Sequence, residues 1–156
     1  MNYTIKKADI KDKSLIYSML QNYLRDLTQF ETIPLNESGE YEYQYLKYYW
    51  TENNRYPYLF YCGEDVAGFA LVRKEENFFS MAEFTVLPDC RRKGRGTSCA
   101  TEVIQQHPGK WHIEYNINNT AGKNFWNKLI LDMVGTHFQK GPGEEENREY
   151  LEFVIG

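Results

Sequence analysis

Residues 86–97 read VLPDCRRKGRGT, and this stretch decides the fold. Val86, Leu87 and Pro88 close an apolar, β-branched run. Arg91, Arg92, Lys93 and Arg95 then place four cations in five positions, and Gly94 and Gly96 stand two apart where a helical pattern begins. A strand end, two residues without a Cβ and a helix start bring backbone N–H groups and the positive end of a helix dipole to one point. Arginine and lysine add neutralising charge. The stretch therefore predicts a cradle for a pyrophosphate-like anion between a strand and a helix. It is not a P-loop, because GxxxxGK[ST] is absent, and not a dinucleotide fingerprint, because no GxGxxG follows.

Upstream of the cradle, residues 57–62 (PYLFYC), 66–74 (VAGFALVRK) and 78–87 (FFSMAEFTVL) are aromatic and β-branched. Gly63-Glu64-Asp65 and Glu75-Glu76-Asn77 punctuate them as turns, which predicts an antiparallel meander. Downstream, residues 96–107 predict a helix stopped by Pro108-Gly109, and 110–116 (KWHIEYN) a strand. Residues 119–131 predict a helix that Asn118 or Asn119 could cap. Residues 133–139 and 148–155 predict closing strands around an acidic loop, GPGEEEN. Toward the N-terminus, 3–8 suits a first strand. Residues 12–30 carry Leu15, Ile16, Met19, Leu20, Tyr23, Leu24, Leu27 and Phe30 at helical spacing. Residues 32–40 read as a loop; 41–50 (YEYQYLKYYW) fit an alternating strand or a helix face, with a short second helix favoured. The order is that of an α/β (α+β) domain over residues 1–156. It predicts a mixed, mostly antiparallel sheet of six to seven strands, flanked by about four helices and splayed between 81–87 and 110–116.

Composition narrows the function. The 156 residues are 42% hydrophobic and 26% charged, which suits one domain with a core and excludes disorder as the default state. No apolar run reaches the roughly 18 residues of a membrane span, and MNYTIKKADI lacks an apolar signal segment, so a cytoplasmic protein is expected. Cys62, Cys90 and Cys99 are widely spaced without a CxxC pair, which indicates neither a zinc site nor a disulfide framework. A net charge of -4 argues against general attraction to nucleic acid and makes the local basic knot stand out.

Arg91-Arg92-Lys93-Gly94-Arg95-Gly96, with Val86 and Pro88 ahead, resembles the acetyl-CoA signature of the GNAT superfamily of N-acetyltransferases, [RQ]-x-x-G-x-[GA] behind V-x-P. Residues 119–128 (NTAGKNFWNK) resemble a later motif of that family, N-x-x-A-x-x-[FL]-[YW]-x-K, with Gly122 at the small position beside Ala121. The N-terminal half is similar to a subgroup of small bacterial members.

The resemblance implies acetyl-CoA as donor. Its pantetheine arm would lie along Phe84, Thr85 and Val86, facing strand 110–116, with Asn119 and Phe125 lining the arm. Its pyrophosphate would sit at Arg91, Arg92, Lys93, Gly94, Arg95, Gly96 and Thr97. It also implies direct transfer to a small-molecule or peptide amine, an N–H near Val86 polarising the thioester oxygen, and no metal. Neither nucleic acid nor a membrane is an expected partner; a homodimer is compatible with the reading. Glu83 is the candidate general base, working through water as a carboxylate does there in family members, with Glu114 second. Many members carry a tyrosine acid where this chain has Trp126, whose indole is far too weak an acid. Tyr115 could serve instead, or the thiolate leaves unassisted.

Other residues read more plainly. His107 sits at a helix end, where capping is commoner than catalysis. His112, beside Trp111, reads as a satisfied core residue. Cys90 and Cys99 flank the cradle without the histidine–acid company of a nucleophile. Tyr41, Tyr43, Tyr45, Tyr48, Tyr49 and Trp50, with Glu31, Glu37, Glu40 and Glu42, suit a cationic acceptor or a solvated face over an aromatic core. Two other functions compete: a non-catalytic acyl-CoA-binding or sensing module, and a nucleic-acid binder using the basic knot.

Overall fold

The apolar runs on either side of the basic loop become neighbours in one mixed sheet. The computed structural model describes residues 3–91 and 94–156. Along the chain come β1 (Tyr3–Lys7), α1 (Lys13–Leu27), β2 (Arg55–Cys62), β3 (Asp65–Lys74), β4 (Phe79–Val86), α2 (Arg95–Gln105), β5 (Gly109–Asn116), α3 (Thr120–Val134), β6 (Phe138–Pro142) and β7 (Arg148–Ile155). The seven strands lie in the order β1-β2-β3-β4-β5-β7-β6. Among the described residues only β4 and β5 run parallel, because α2 carries the chain back across the sheet between them.

Helical periodicity sorts the core into two layers. Val103 and Ile104 of α2 and Leu129 and Ile130 of α3 pack on Phe60, Trp111, Ile113 and Leu151. On the other face, Ile16, Leu20 and Leu24 of α1 meet Leu59, Phe69 and Leu71. That second layer includes no residue of β5, β6 or β7. The sheet is thus covered on both sides at its first half and on one side at its second. Asp9 caps the turn ahead of α1, and Asn119 caps α3 by accepting from Gly122 N–H at 3.0 Å.

Among the described residues three α-helices form where about four were expected. Residues 41–50 yield only a 3-10 turn, Leu46–Trp50. The Gln21 side chain bonds both the N–H and the C=O of Tyr41, holding the start of this segment out of a helix. What remains is too short to be helical on its own, and it buries Leu46 and Tyr49 instead. The strand expected at 133–139 is also corrected. Met133 and Val134 continue the apolar face of α3, which ends at Gly135 (φ 65°), and β6 begins only at Phe138.

Two details open the sheet. In β4, Glu83 pairs with Leu71 and Met81 with Val72, leaving Ala82 without a counterpart. Such a bulge bends and twists its strand. Beside it, β4 and β5 pair only at Phe79–Trp111 and Ser80–His112, and then part. The foot of this fork is pinned by rings. Phe79 stacks on Trp111 at 5.6 Å, Trp111 Nε1 donates to His107 O at 2.9 Å, and the Tyr58 hydroxyl meets His107 Nε2 at 2.7 Å. His107 is thus a structural clamp at the helix end.

Above the fork, β4 is held against β3 by a glycine. Gly68 faces Val86, and a Cβ there would lie 2.2 Å from Thr85 O. Gly68→Ala is expected to lower stability by about 1–3 kcal/mol through overpacking, measured by urea unfolding; an unchanged midpoint would mean that the β3–β4 contact yields freely.

Candidate active site

The parting strands leave a cavity of about 830 Å³. Its walls are residues 81–86 of β4, Glu114, Tyr115 and Asn116 of β5, the N-terminal turn of α2, and Asn119, Phe125 and Trp126. The end of α1 forms the roof. Asn116 Nδ2 donates to Phe30 O at 3.3 Å, and Arg148 Nη1 meets Glu31 Oε2 at 3.3 Å.

At one end of the cavity, α2 begins without a side-chain cap. Gly94 is its N-cap at φ 71°, a conformation that favours glycine, and the first helical bond is Ser98 N–H to Gly94 O. The amides of the first turn, Gly96 and Thr97 among them, precede that bond and carry the positive end of the helix dipole. Gly96 is ordinary helix, but a Cβ there would touch Phe125 Cε1 at 3.4 Å and Val86 Cγ2 at 3.7 Å. The two glycines act differently: Gly94 sets the turn, and Gly96 keeps the cavity wall thin. Arg91 also lines the cavity, with its Nε donating to Val86 O at 2.7 Å, so it pins the strand end. Arg92 and Lys93 lie outside the described residues.

In the middle, Phe84 stacks on Phe125 at 5.6 Å and meets Trp126 edge-on at 5.3 Å. Trp126 is buried in the core as well as lining the cavity. Asn119 lines the cavity while its side chain caps α3. Thr85, Val86 and Thr97 complete this wall.

At the other end stands Glu83, half-buried just past the bulge. Burial pushes its carboxyl up to about 7, partly offset by hydrogen bonding from the Tyr23 and Tyr43 hydroxyls. The nearby charge of Glu31 raises it further, and that of Arg148 lowers it. Both tyrosines are held well above the usual phenol range, by burial and then by the charge of Glu83, so they stay protonated donors. A carboxyl poised near neutrality exchanges protons readily at neutral pH.

Tyr115 is less suited to acid chemistry. Its hydroxyl donates to Glu149 and accepts from Asn127 Nδ2 at 2.9 Å, and burial pushes it up to about 12. Glu114 lines the cavity but is held by Arg148 Nε at 3.0 Å. Burial pushes the Cys99 thiol up to about 12, away from any nucleophilic role. His112, expected in the core, is instead half-buried on the face that no helix covers. Glu31, one of the acids that suit a cationic acceptor, lines the cavity, and with it come Tyr23 and Arg148, to which sequence reasoning assigned no role in a site. They come from distant segments and share no motif.

The sequence matches the Acetyltransferase (GNAT) family over residues 18–129. Among solved structures, the ribosomal-protein-S18-alanine N-acetyltransferase of Escherichia coli superposes with a TM-score of 0.68 at 14% identity, covering 99% of this chain and 95% of that one. The spermidine N-acetyltransferase of Vibrio cholerae, in complex with CoA and spermine, gives 0.68 at 12% identity over 98% and 95%. The PaiA N-acetyltransferase of Thermoplasma acidophilum, with coenzyme A, gives 0.66 at 13% over 99% and 100%. These likenesses are of fold. No curated protein sequence matches the chain.

The raised Glu83 carboxyl links stability to pH. It remains protonated in the folded chain where the unfolded chain, with an ordinary carboxyl near 4.5, has ionised. Its contribution is therefore full below that ordinary value and is lost as pH rises through about 7. Glu83→Gln cannot ionise, so its stability relative to the native chain should grow across that window. Urea unfolding at about pH 5 and about pH 8 measures this; a difference that is flat with pH contradicts the buried carboxyl.

Proposed function

The chain belongs to the GNAT acetyltransferase family, and from that premise we propose that it transfers the acetyl group of acetyl-CoA directly to a primary amine of a small molecule or peptide. The observation that carries this reading is the fork between β4 and β5, which runs from a near-neutral carboxyl at Glu83 to the uncapped start of α2. One end suits a proton acceptor and the other a diphosphate. The relatives named above act on amines of very different size, a ribosomal protein and spermidine.

In this reading the pantetheine arm lies along Phe84, Thr85 and Val86, against Asn119 and Phe125. The pyrophosphate meets the amides of Gly94, Arg95, Gly96 and Thr97, with Arg91, Arg92 and Lys93 supplying charge. A neutral amine attacks the thioester carbon, so an N–C bond forms and the C–S bond breaks. A backbone N–H near Val86 stabilises the oxyanion. Glu83 takes the proton released by the nitrogen. CoA leaves as thiolate; an ordinary thiol near 8.5 makes that departure feasible without Tyr115.

The cradle and the base give separable tests. Gly94→Val strains the left-handed turn, and Gly96→Val pushes a branched side chain toward Phe125 and Val86. Each should abolish CoA binding in calorimetry while circular dichroism reports a folded chain; unchanged affinity rejects the cradle. Glu83→Gln should keep acetyl-CoA affinity and lower the transfer rate by about 10²–10⁴-fold at neutral pH, with part of the loss returning at high pH. In the native chain the rate should fall as pH drops below about 7, where Glu83 gains its proton. If CoA binds and no amine releases its thiol, the chain is an acyl-CoA-binding module instead.

A further inference from the structure

Beyond the fork lies a second cavity of about 700 Å³, on the face of β5 and β7 that no helix covers. It shares Met81, Ala82, Glu114 and Arg148 with the first, so the two meet behind the bulge. His112 stands in this groove at the last paired position of the fork. Its ring lies between Phe78 at 5.1 Å and Tyr150 at 4.8 Å, which fixes its plane.

The two ring nitrogens have different company. Nδ1 lies 3.0 Å from Glu152 Oε2, so in the neutral ring it carries the proton and donates it there. Nε2 is then a bare acceptor, and it faces Glu114 Oε2 at 3.6 Å. That is too long for a direct hydrogen bond, and two acceptors face each other across the gap. Glu114 is oriented for this, because Arg148 Nε holds its other oxygen at 3.0 Å. A group with several N–H donors and a positive charge, seated beside this pair, can donate to both Nε2 and Oε2. The carboxylates approach opposite sides of the ring, and no metal-holding cluster occurs among the described residues.

We propose that the acceptor enters through this groove as an ammonium ion and gives up its first proton to His112 Nε2, with Glu114 receiving the cation and Glu152 fixing the ring. The inference rests on the acetyl-transfer reading and adds a step to it. An ammonium ion must lose two protons to become an amide nitrogen. The first passes to His112, which forms an imidazolium between two carboxylates and returns the proton to solvent once the amine has left Nε2, its side chain being partly exposed. The neutral amine moves past Ala82 to the thioester, and the second proton goes to Glu83 as the N–C bond forms. The other charged groups facing His112 are Lys110 near Glu152 and, around the groove, Arg73, Glu75, Glu144 and Arg148. His112 touches the substrate in this step; Glu152 is a positioning residue.

Two measurements decide it. In the first, the imidazole signals of the native chain saturated with CoA, which carries no acetyl group to transfer, are followed by NMR while propylammonium is added at neutral pH. The signal missing from His112→Gln should shift, those of His107 and His137 should not, and Glu114→Gln should abolish the shift. A His112 signal that does not move overturns the proposal whether or not the chain transfers acetyl groups. In the second, His112→Gln should lower kcat/KM for propylamine by about 10²-fold at neutral pH. The loss should disappear as pH approaches the amine's own pKa and be absent for methoxyamine, which is already neutral; Glu152→Gln should show the same pattern more weakly. Equal losses for both amines at all pH values assign His112 a structural role and overturn the proposal. Full activity of His112→Gln alongside an inactive Glu83→Gln overturns it and leaves the acetyl-transfer reading standing. A His112 shift without any transfer by the native chain retains the ammonium site and rejects that reading.

Discussion

Everything in the candidate site depends on β4 and β5 staying paired for two residues and then separating. Parallel strands bury both faces and hold their ladder best when nothing interrupts it. Here the ladder stops after Ser80–His112, just where the Ala82 bulge turns β4 aside. The backbone edges exposed by that separation are hydrogen-bonding groups that need partners. An extended ligand with amide groups of its own can supply them. The aromatic clamp of Phe79, Trp111 and His107 keeps the fork from opening further.

The electrostatics come from what covers β4. Glu83 is desolvated there, and the Tyr23 and Tyr43 hydroxyls hydrogen-bond to it. Desolvation outweighs the two hydroxyls, so the carboxyl settles near neutrality. At the far end of the cavity, an uncapped helix start presents the opposite polarity. A single fork thus has a near-neutral carboxyl at one end and the positive start of a helix at the other.

The unequal cover of the sheet has its own consequence. α1 and the turn at Leu46–Trp50 bury only the first half of their face. The remaining half keeps His112, Glu114, Arg148 and Glu152 in a polar groove that joins the cavity at the bulge. Arg148 links this groove to the roof, because its guanidinium reaches both Glu114 and Glu31. Two cavities therefore meet at the bulge, one bordered by a helix start and one by carboxylates.

Much of this was legible in the sequence, and the reason is locality. The meander, the glycine turn, the Asn119 cap and the β7 run at residues 148–155 each depend on neighbours a few positions apart, so period and turn chemistry reveal them. Glu83 was named from the family resemblance, three residues before Val86, and it lines the cavity. Only the tertiary structure decided the rest. Residues 41–50 were ambiguous between periods, and the Gln21 clamp on Tyr41 settled them. α3 extended to Val134 because the core received its last apolar turn. The tyrosines around Glu83, the Arg148 bridge and the exposure of His112 join segments as far apart as Glu31 and Arg148. No local pattern encodes such contacts, because burial and charge at those positions are set by what the fold brings against them.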